Sequence, residues 1–210
     1  MKKICHKITN NIFILCRKIK NKRKKARLKN NDVTILCSDC IGGLIYNDFN
    51  MRFNSPTINL YIKPSDFIKF CKKLDFYLDS ELKYKENKNH IVGMLADIEI
   101  HFLHYKTFED AKNKWLERSK RINKDNICVI LTCKDGYTLK DIKSFDKLNY
   151  KNKVVFVPKK YNNFDSSFYI KNSEENSEIK FLGTKVNHFG KKLIDNYDVV
   201  SFLNKCKESK

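Results

Sequence analysis

Between Gly93 and Tyr105 the chain reads Gly-Met-Leu-Ala-Asp-Ile-Glu-Ile-His-Phe-Leu-His-Tyr. Asp97, Glu99 and His101 alternate there with Ile98, Ile100 and Phe102. Successive side chains on a strand point to opposite faces, so two carboxylates and an imidazole share one face and three hydrophobes the other. A carboxylate beside a histidine shifts its pKa, orients its tautomer, or binds a metal with it. In a catalytic site, His101 or His104 would act as a general base steadied by Asp97 or Glu99. Alternatively, Asp97 and Glu99 would hold a divalent cation against a leaving diphosphate. Asp-x-Glu is too short a motif to choose, and a half-buried strand with a solvated polar face competes with both. His104 falls on the opposite parity to His101.

A second group of candidates follows the first apolar run. Val33–Cys37 reads as a short buried strand, Ser38-Asp-Cys-Ile-Gly-Gly43 as a turn, and Leu44–Phe49 as a helix. A strand, a glycine-bearing turn and a helix start make a phosphate site, because free backbone N–H groups converge there. Asp39, Gly42 and Gly43 are therefore candidate cofactor-binding residues, although no G-x-G-x-x-G fingerprint is present and both glycines equally suit close packing. Cys40 is a candidate nucleophile, since thiol pKa falls at a helix N-terminus. Cys37-x-x-Cys40 also has redox-pair spacing. Lys134-Asp135 follows the strand Ile127–Thr132 and adds Asp135 to the cofactor-binding group. Ligands of open α/β sheets bind beyond the carboxyl ends of the strands. The expectation is one pocket lined by Asp97, Glu99, His101 and His104, with Asp39 and Cys40 across it.

The elements that must position these residues alternate along the chain. Thr57–Ile62 alternates as a strand, Pro64–Leu74 opens with the proline a helix tolerates in its first turn, and Asp79–His90 is polar and loop-like. Two strands, or one broken at Ala96, cover Ile91–His104. Thr107 starts a helix with Phe108, Ala111, Trp115 and Ile122 inward and Lys112, Lys114, Arg118 and Lys120 outward. Ile127–Thr132 is the clearest buried strand. A capping pattern at Thr138 opens a helix to Leu148, and Lys153–Val157 is a strand stopped by Pro158. An edge strand at 166–170, a polar loop at 172–177 and short helices at 187–196 and 199–206 complete the pattern. Such alternation predicts an α/β fold with a mostly parallel sheet flanked by helices.

Charge is unevenly spread. Of a formal +19 over 210 residues, twelve Lys or Arg lie in Met1–Asn30 with no acid among them. This predicts a basic helical arm, 1–30, ahead of a single α/β domain, 31–210. In the arm, Ile4, Ile8, Ile12, Leu15 and Ile19 recur at helical spacing with basic residues alongside, as in a helix that lies on anionic lipid or packs its stripe on the body. Its longest uncharged run, Ile8–Cys16, is too short to span a bilayer, which takes roughly 20 apolar residues. Nucleic acid is a weaker expectation, because no aromatics interleave with Lys22-Arg-Lys-Lys-Ala-Arg27 for base stacking. Eight cysteines scattered through apolar runs fit reduced thiols and a cytoplasmic chain.

Several stretches together resemble a bacterial family, domain-of-unknown-function family nineteen-nineteen. They are Cys40-Ile-Gly-Gly43, Asn54-Ser-Pro56, the Asp97–Tyr105 stretch, Trp115 with Arg118 and Arg121, Asp135-Gly136, and Tyr150-Lys-Asn-Lys-Val-Val-Phe156. The resemblance runs from about Val33 to residue 188. The family's first turn reads Ser-Asn-Asn-Cys-Trp-Gly-Gly; here it is Cys37-Ser-Asp-Cys-Ile-Gly-Gly43, so Cys40 and both glycines match. Cys37 does not match, which singles out Cys40 rather than a Cys-x-x-Cys pair. Ile41 replaces the tryptophan and removes an aromatic platform for sugar. Members are often labelled exopolysaccharide or capsule biosynthesis proteins. The label implies a pathway rather than a reaction. Taken with the polar cluster on an α/β scaffold and the basic arm, it leads to the expectation of a cytosolic, membrane-associated transferase acting on a sugar nucleotide, a lipid-linked sugar or an acyl donor. A non-catalytic scaffold or regulator of the same machinery is the alternative.

Overall fold

The computed structural model describes residues 2–206 apart from 172, 174–176, 181, 185, 186 and 188, with side chains from Phe13 onward. The first helix, α1 (Lys2–Arg27), precedes β1 (Thr34–Cys37) and α2 (Ile41–Asp48). Then come α3 (Pro64–Lys72), α4 (Leu74–Asp79), β2 (Leu82–Lys85), β3 (Ile91–Leu95) and β4 (Ile98–Phe102). The second half holds α5 (Phe108–Ser119), β5 (Ile127–Thr132), α6 (Leu139–Asp146), β6 (Asn152–Val157), β7 (Ser167–Tyr169), a 3-10 turn (Leu193–Asn196) and α7 (Val199–Lys205).

Strands β1, β5, β6 and β7 lie side by side in that order, all parallel. Their near-continuous apolar sequences follow from burial on both faces. Ile35, Cys37, Cys128, Ile130, Val154 and Phe156 face a core shared with α2 and α7. Leu36, Val129, Leu131, Val155 and Val157 face a second core built by α3, α5 and α6. The predicted mixed α/β fold with a mostly parallel sheet is therefore the observed one.

Beside it, β2, β3 and β4 form an antiparallel sheet. Ala96 breaks the β3–β4 stretch, adopting φ 52° in the turn. Two expectations fail here. The polar 79–90 stretch contains β2, hidden because only Leu82 of its four residues is buried. Thr57–Ile62 is not a strand: Asn59 sits at φ 62°, and only a single bridge, Tyr61 to His101, forms. Its apolar residues are buried all the same, and its backbone ties the two sheets together. The Ile62 N–H donates to Ser38 O, and Tyr61 exchanges both backbone bonds with His101.

Two smaller differences concern helices. Arg118, expected on the outer face of α5, is buried, three residues on from buried Trp115 and so on the same helical face. The 187–196 stretch has only the 3-10 turn in its described part, and much of the 172–177 loop lies outside the described residues. Both cap patterns form: Thr107 accepts from Asp110 N–H, and Thr138 and Asp141 make a full capping box.

The basic segment is helical, and from Phe13 on it is tied to the body. Its polar face turns inward. Arg17 pairs with Asp48 of α2 and with Asp195 of the 3-10 turn, Lys24 also pairs with Asp195, and Arg27 pairs with Asp198 at 2.9 Å. Leu15 and Ile19, the described members of the predicted stripe, are exposed, so the described part of the stripe does not pack on the body. The side chains of Ile4, Ile8 and Ile12 lie outside the described residues.

Candidate functional site

Neighbouring parallel strands send their chains to opposite sides of the sheet after β1 and β5. The helix after β1, α2, packs on one core, while α6, after β5, packs on the other. Their divergence opens a crevice at the carboxyl ends of the two strands, the physical reason ligands collect at such points. A pocket of about 360 Å³ occupies it, lined by Asp39, Cys40, Thr132, Lys134 and Asp135 and, on its other side, by residues 178–180 and 182–184.

Each side chain is held for a local reason. Asp39 is buried; its Oδ1 accepts from the Ile41 N–H at 3.0 Å, capping the first turn of α2, and from the Cys37 thiol at 3.3 Å. Its Oδ2 faces Lys134 Nζ at 3.5 Å, and Asp135 lies at the same distance from that ammonium. Burial works against the Lys134 charge, but Asp39 and Asp135 outweigh it and hold its pKa above the usual lysine value. Asp135 and Gly136 take consecutive positive φ angles, 55° and 79°, which turns the chain sharply back after Lys134. The Gly136 N–H donates to Glu178, which anchors that other side of the pocket.

Cys40 immediately precedes α2, and its Sγ lies 3.5 Å from His104 Nε2. The thiol also reaches Leu60 O at 3.8 Å. Contrary to the expected lowering at a helix N-terminus, burial and then the Asp39 charge push the Cys40 pKa up, with Lys134 opposing. The Cys37 thiol is pushed well up by burial, so the Cys-x-x-Cys spacing places no thiolate here.

None of the four hairpin candidates lines this pocket; His104 meets it only through Cys40. Asp97 is on the β3–β4 turn rather than the strand, with its side chain 62% exposed, where it accepts from Tyr77 at 2.7 Å and Lys69 at 3.0 Å. Those two bonds hold its carboxyl below the usual range. Glu99 is paired with Lys85, which lowers its pKa in the same way. Asp97 and Glu99 thus serve different partners. Among the described residues no three His, Cys, Asp or Glu side chains are placed to share a metal ion.

His101 is buried, with Nδ1 2.9 Å from His90 Nε2 and its ring stacked on Tyr61 at 4.2 Å. Its Nε2 has no hydrogen-bond partner; Glu99 Oε2 stands 3.5 Å away, outside bonding geometry. Burial first, then His90, bring the His101 pKa down to about 4 against the pull of Glu99, so the ring is neutral at pH 7. That buried ring does not line the crevice; of the two histidines only His104 touches a residue that does, through Cys40.

Gly42 and Gly43 are buried packing residues. A β-carbon at Gly42 would stand 2.9 Å from Cys37 Cβ, and one at Gly43 3.2 Å from the Ile58 methyl. Neither lines the pocket.

Sequence reasoning passed over three supports. Tyr61 lies between the hairpin and the crevice: the charges of Asp135 and Lys134 act on it from one side and Glu99 from the other. Arg118 donates to Tyr105 Oη at 2.7 Å and to Ile58 O at 3.2 Å, fixing the chain that carries His104 against the 57–62 segment. Its helical spacing from Trp115 was the available signal. His90 gave none, since strand pairing alone brings it to His101.

The family profile "Domain of unknown function (DUF1919)" matches residues 11–204. The match extends past the resemblance at both ends, starting inside α1 and finishing in α7. An "Uncharacterized protein" of Haemophilus influenzae (strain ATCC 51907 / DSM 11121 / KW20 / Rd) is 39% identical over 185 residues, covering 88% of this chain and 90% of its own. The chain belongs to the DUF1919 family.

Proposed function

We propose that the protein is a transferase of exopolysaccharide or capsule assembly, working at the Cys40–His104 edge of the β1–β5 crevice. Its substrate is a sugar nucleotide, a lipid-linked sugar or an acyl donor. The observation that carries the reading is a thiol within 3.5 Å of an imidazole nitrogen, beside a lysine held between two carboxylates. The pathway rests on the resemblance of the Cys40-Ile-Gly-Gly43 and Asp97–Tyr105 stretches to proteins that bear that label.

The Cys40 thiol stays protonated at neutral pH, so its S–H donates to His104 Nε2. That places the ring proton on Nδ1 and leaves the Nε2 lone pair as the base, once an acceptor hydroxyl takes the place of the thiol as its donor. His104 Nε2 takes the proton of an acceptor hydroxyl as the oxygen attacks the donor carbon. The bond to the leaving group breaks, and the Lys134 ammonium offsets the charge that builds on it.

The test is transfer from a panel of nucleotide sugars and acyl thioesters by the full chain. General-base catalysis is worth roughly 10²–10⁴-fold, so His104→Gln should lower kcat by that order. His104 is exposed, so the melting temperature should not move. Asp97→Asn, far from the crevice, should leave turnover unchanged. Equal turnover by wild type and His104→Gln, or loss only with Asp97→Asn, refutes the assignment.

A further inference from the structure

Helix α1 is turned the opposite way from an ordinary surface helix. Amphipathic helices bury the apolar stripe and expose the charges. Here Arg17, Asn21 and Lys24 face the body, bonded to Asp48 and Asp195. The outer face carries Ile14, Leu15 and Ile19, with side chains 53%, 58% and 47% exposed. Lys18, Lys22 and Arg23 are exposed among them. Phe189, at 76% the most exposed large hydrophobic among the described residues, is next in sequence to a contact with this helix. It precedes Gly190, which approaches the helix so closely that a β-carbon there would stand 2.9 Å from the Arg17 backbone nitrogen.

Arg17, Asn21 and Lys24, with half-buried Phe13 and Cys16 beside them, are thus spent on the body, and Ile14, Leu15 and Ile19 are left outside with cations around them. No Asp or Glu occurs in the first thirty residues to repel a negative surface. No helix among the described residues is long and apolar enough to cross a membrane. An apolar stripe with flanking Lys and Arg matches the boundary between acyl chains and anionic headgroups, where the rings and aliphatics sink in and the cations meet phosphate.

We propose that the outer face of α1, with Phe189 beside it, docks on an anionic lipid bilayer. Arg17 and Lys24 are not part of the contact; they orient the helix by holding its other face to α2 and the 3-10 turn. The inference does not depend on the transferase assignment, and a docked protein with no transferase activity satisfies it.

Co-sedimentation of the full chain with phosphatidylglycerol–phosphatidylcholine vesicles tests it, against phosphatidylcholine alone. Binding should require the anionic lipid and weaken as salt is raised, each basic residue near the surface being worth about fivefold. Leu15→Ser/Ile19→Ser should lower the partition coefficient about tenfold or more, with an unchanged melting temperature. Lys18→Gln/Lys22→Gln/Arg23→Gln should abolish the preference for anionic lipid, and this second variant leaves every apolar contact in place. Wild-type binding that ignores lipid charge, no binding to either vesicle, or binding by both variants as strong as that of wild type overturns the proposal. So does loss of self-association, rather than of vesicle binding, in Leu15→Ser/Ile19→Ser, which would make the face an interface between copies.

Discussion

Removing the Arg17 side chain tests the orientation of α1 directly. The guanidinium bridges Asp48 and Asp195, and the three side chains are only 11%, 18% and 7% exposed. An uncompensated buried charge costs about 3–5 kcal/mol, and an exposed pair contributes about 0–1 kcal/mol. Arg17→Ala lies between, because each carboxylate keeps one cation: Lys24 for Asp195, and Lys192 at 3.2 Å for Asp48. The expected loss is about 2 kcal/mol, including the burial of the arginine stem. For a chain of this size that lowers Tm by about 4–8 °C. Arg27→Ala is the control, since Arg27 and Asp198 are both more than half exposed; its cost should stay below about 1 kcal/mol.

The effect of Arg17→Ala should also depend on pH. Burial alone would raise the Asp195 pKa, but Lys24, the Lys192 N–H and Arg17 outweigh it and hold the carboxyl below its ordinary 3.8. A depressed carboxyl contributes stability that is present above the unfolded value and lost as pH falls through the native one. The gap between wild type and Arg17→Ala should therefore narrow in acid. Urea denaturation at pH 7 and pH 3 measures both quantities. A loss under about 0.5 kcal/mol at pH 7, or a gap that widens in acid, refutes the docked polar face.

Two further predictions concern the hairpin and α2. The folded chain refuses a proton at His101 down to about pH 4, whereas the unfolded chain accepts one near 6.5. Stability should fall as pH drops through that window, by at most about 3 kcal/mol. His101→Gln should flatten the slope in thermal melts, and an unchanged slope rules out a buried neutral ring. Gly42→Ala forces a methyl to within 2.9 Å of Cys37 Cβ and should cost about 1–3 kcal/mol in urea denaturation. Gly43→Ala should cost less, since the Ile58 methyl at 3.2 Å can yield; the reverse order contradicts the packing role.

What the sequence determined is what local pattern controls. Ile127–Thr132 is legible as a central strand because burial on both faces demands an unbroken apolar run. Thr138 with Asp141 announces a helix start because the capping box closes within four residues. The break at Ala96 and the wholly basic first thirty residues are equally local. β2 was not legible, because a strand with three solvated residues has the composition of a loop until β3 pairs with it. Thr57–Ile62 looked like a strand by its alternation, but its hydrogen bonds go to Ser38 and His101 on different sheets, which no period encodes.

The site itself was partly legible. Asp39, Cys40, Lys134 and Asp135 could be placed by the rule for carboxyl ends of parallel strands, which needs only the order of elements. Their convergence with His104, 64 residues beyond Cys40, came from the 57–62 segment and Arg118 bracing the hairpin against the sheet. Of the shared face of Asp97, Glu99 and His101, the last two remain together, 3.5 Å apart, while the turn takes Asp97 out of the strand and Tyr61 covers the His101 ring. For α1, the sequence determined that one side is apolar and the other basic. Which side meets the protein was decided only by the tertiary structure: Asp48 and Asp195, from two distant elements, form a partly buried acidic surface on which Arg17 and Lys24 rest.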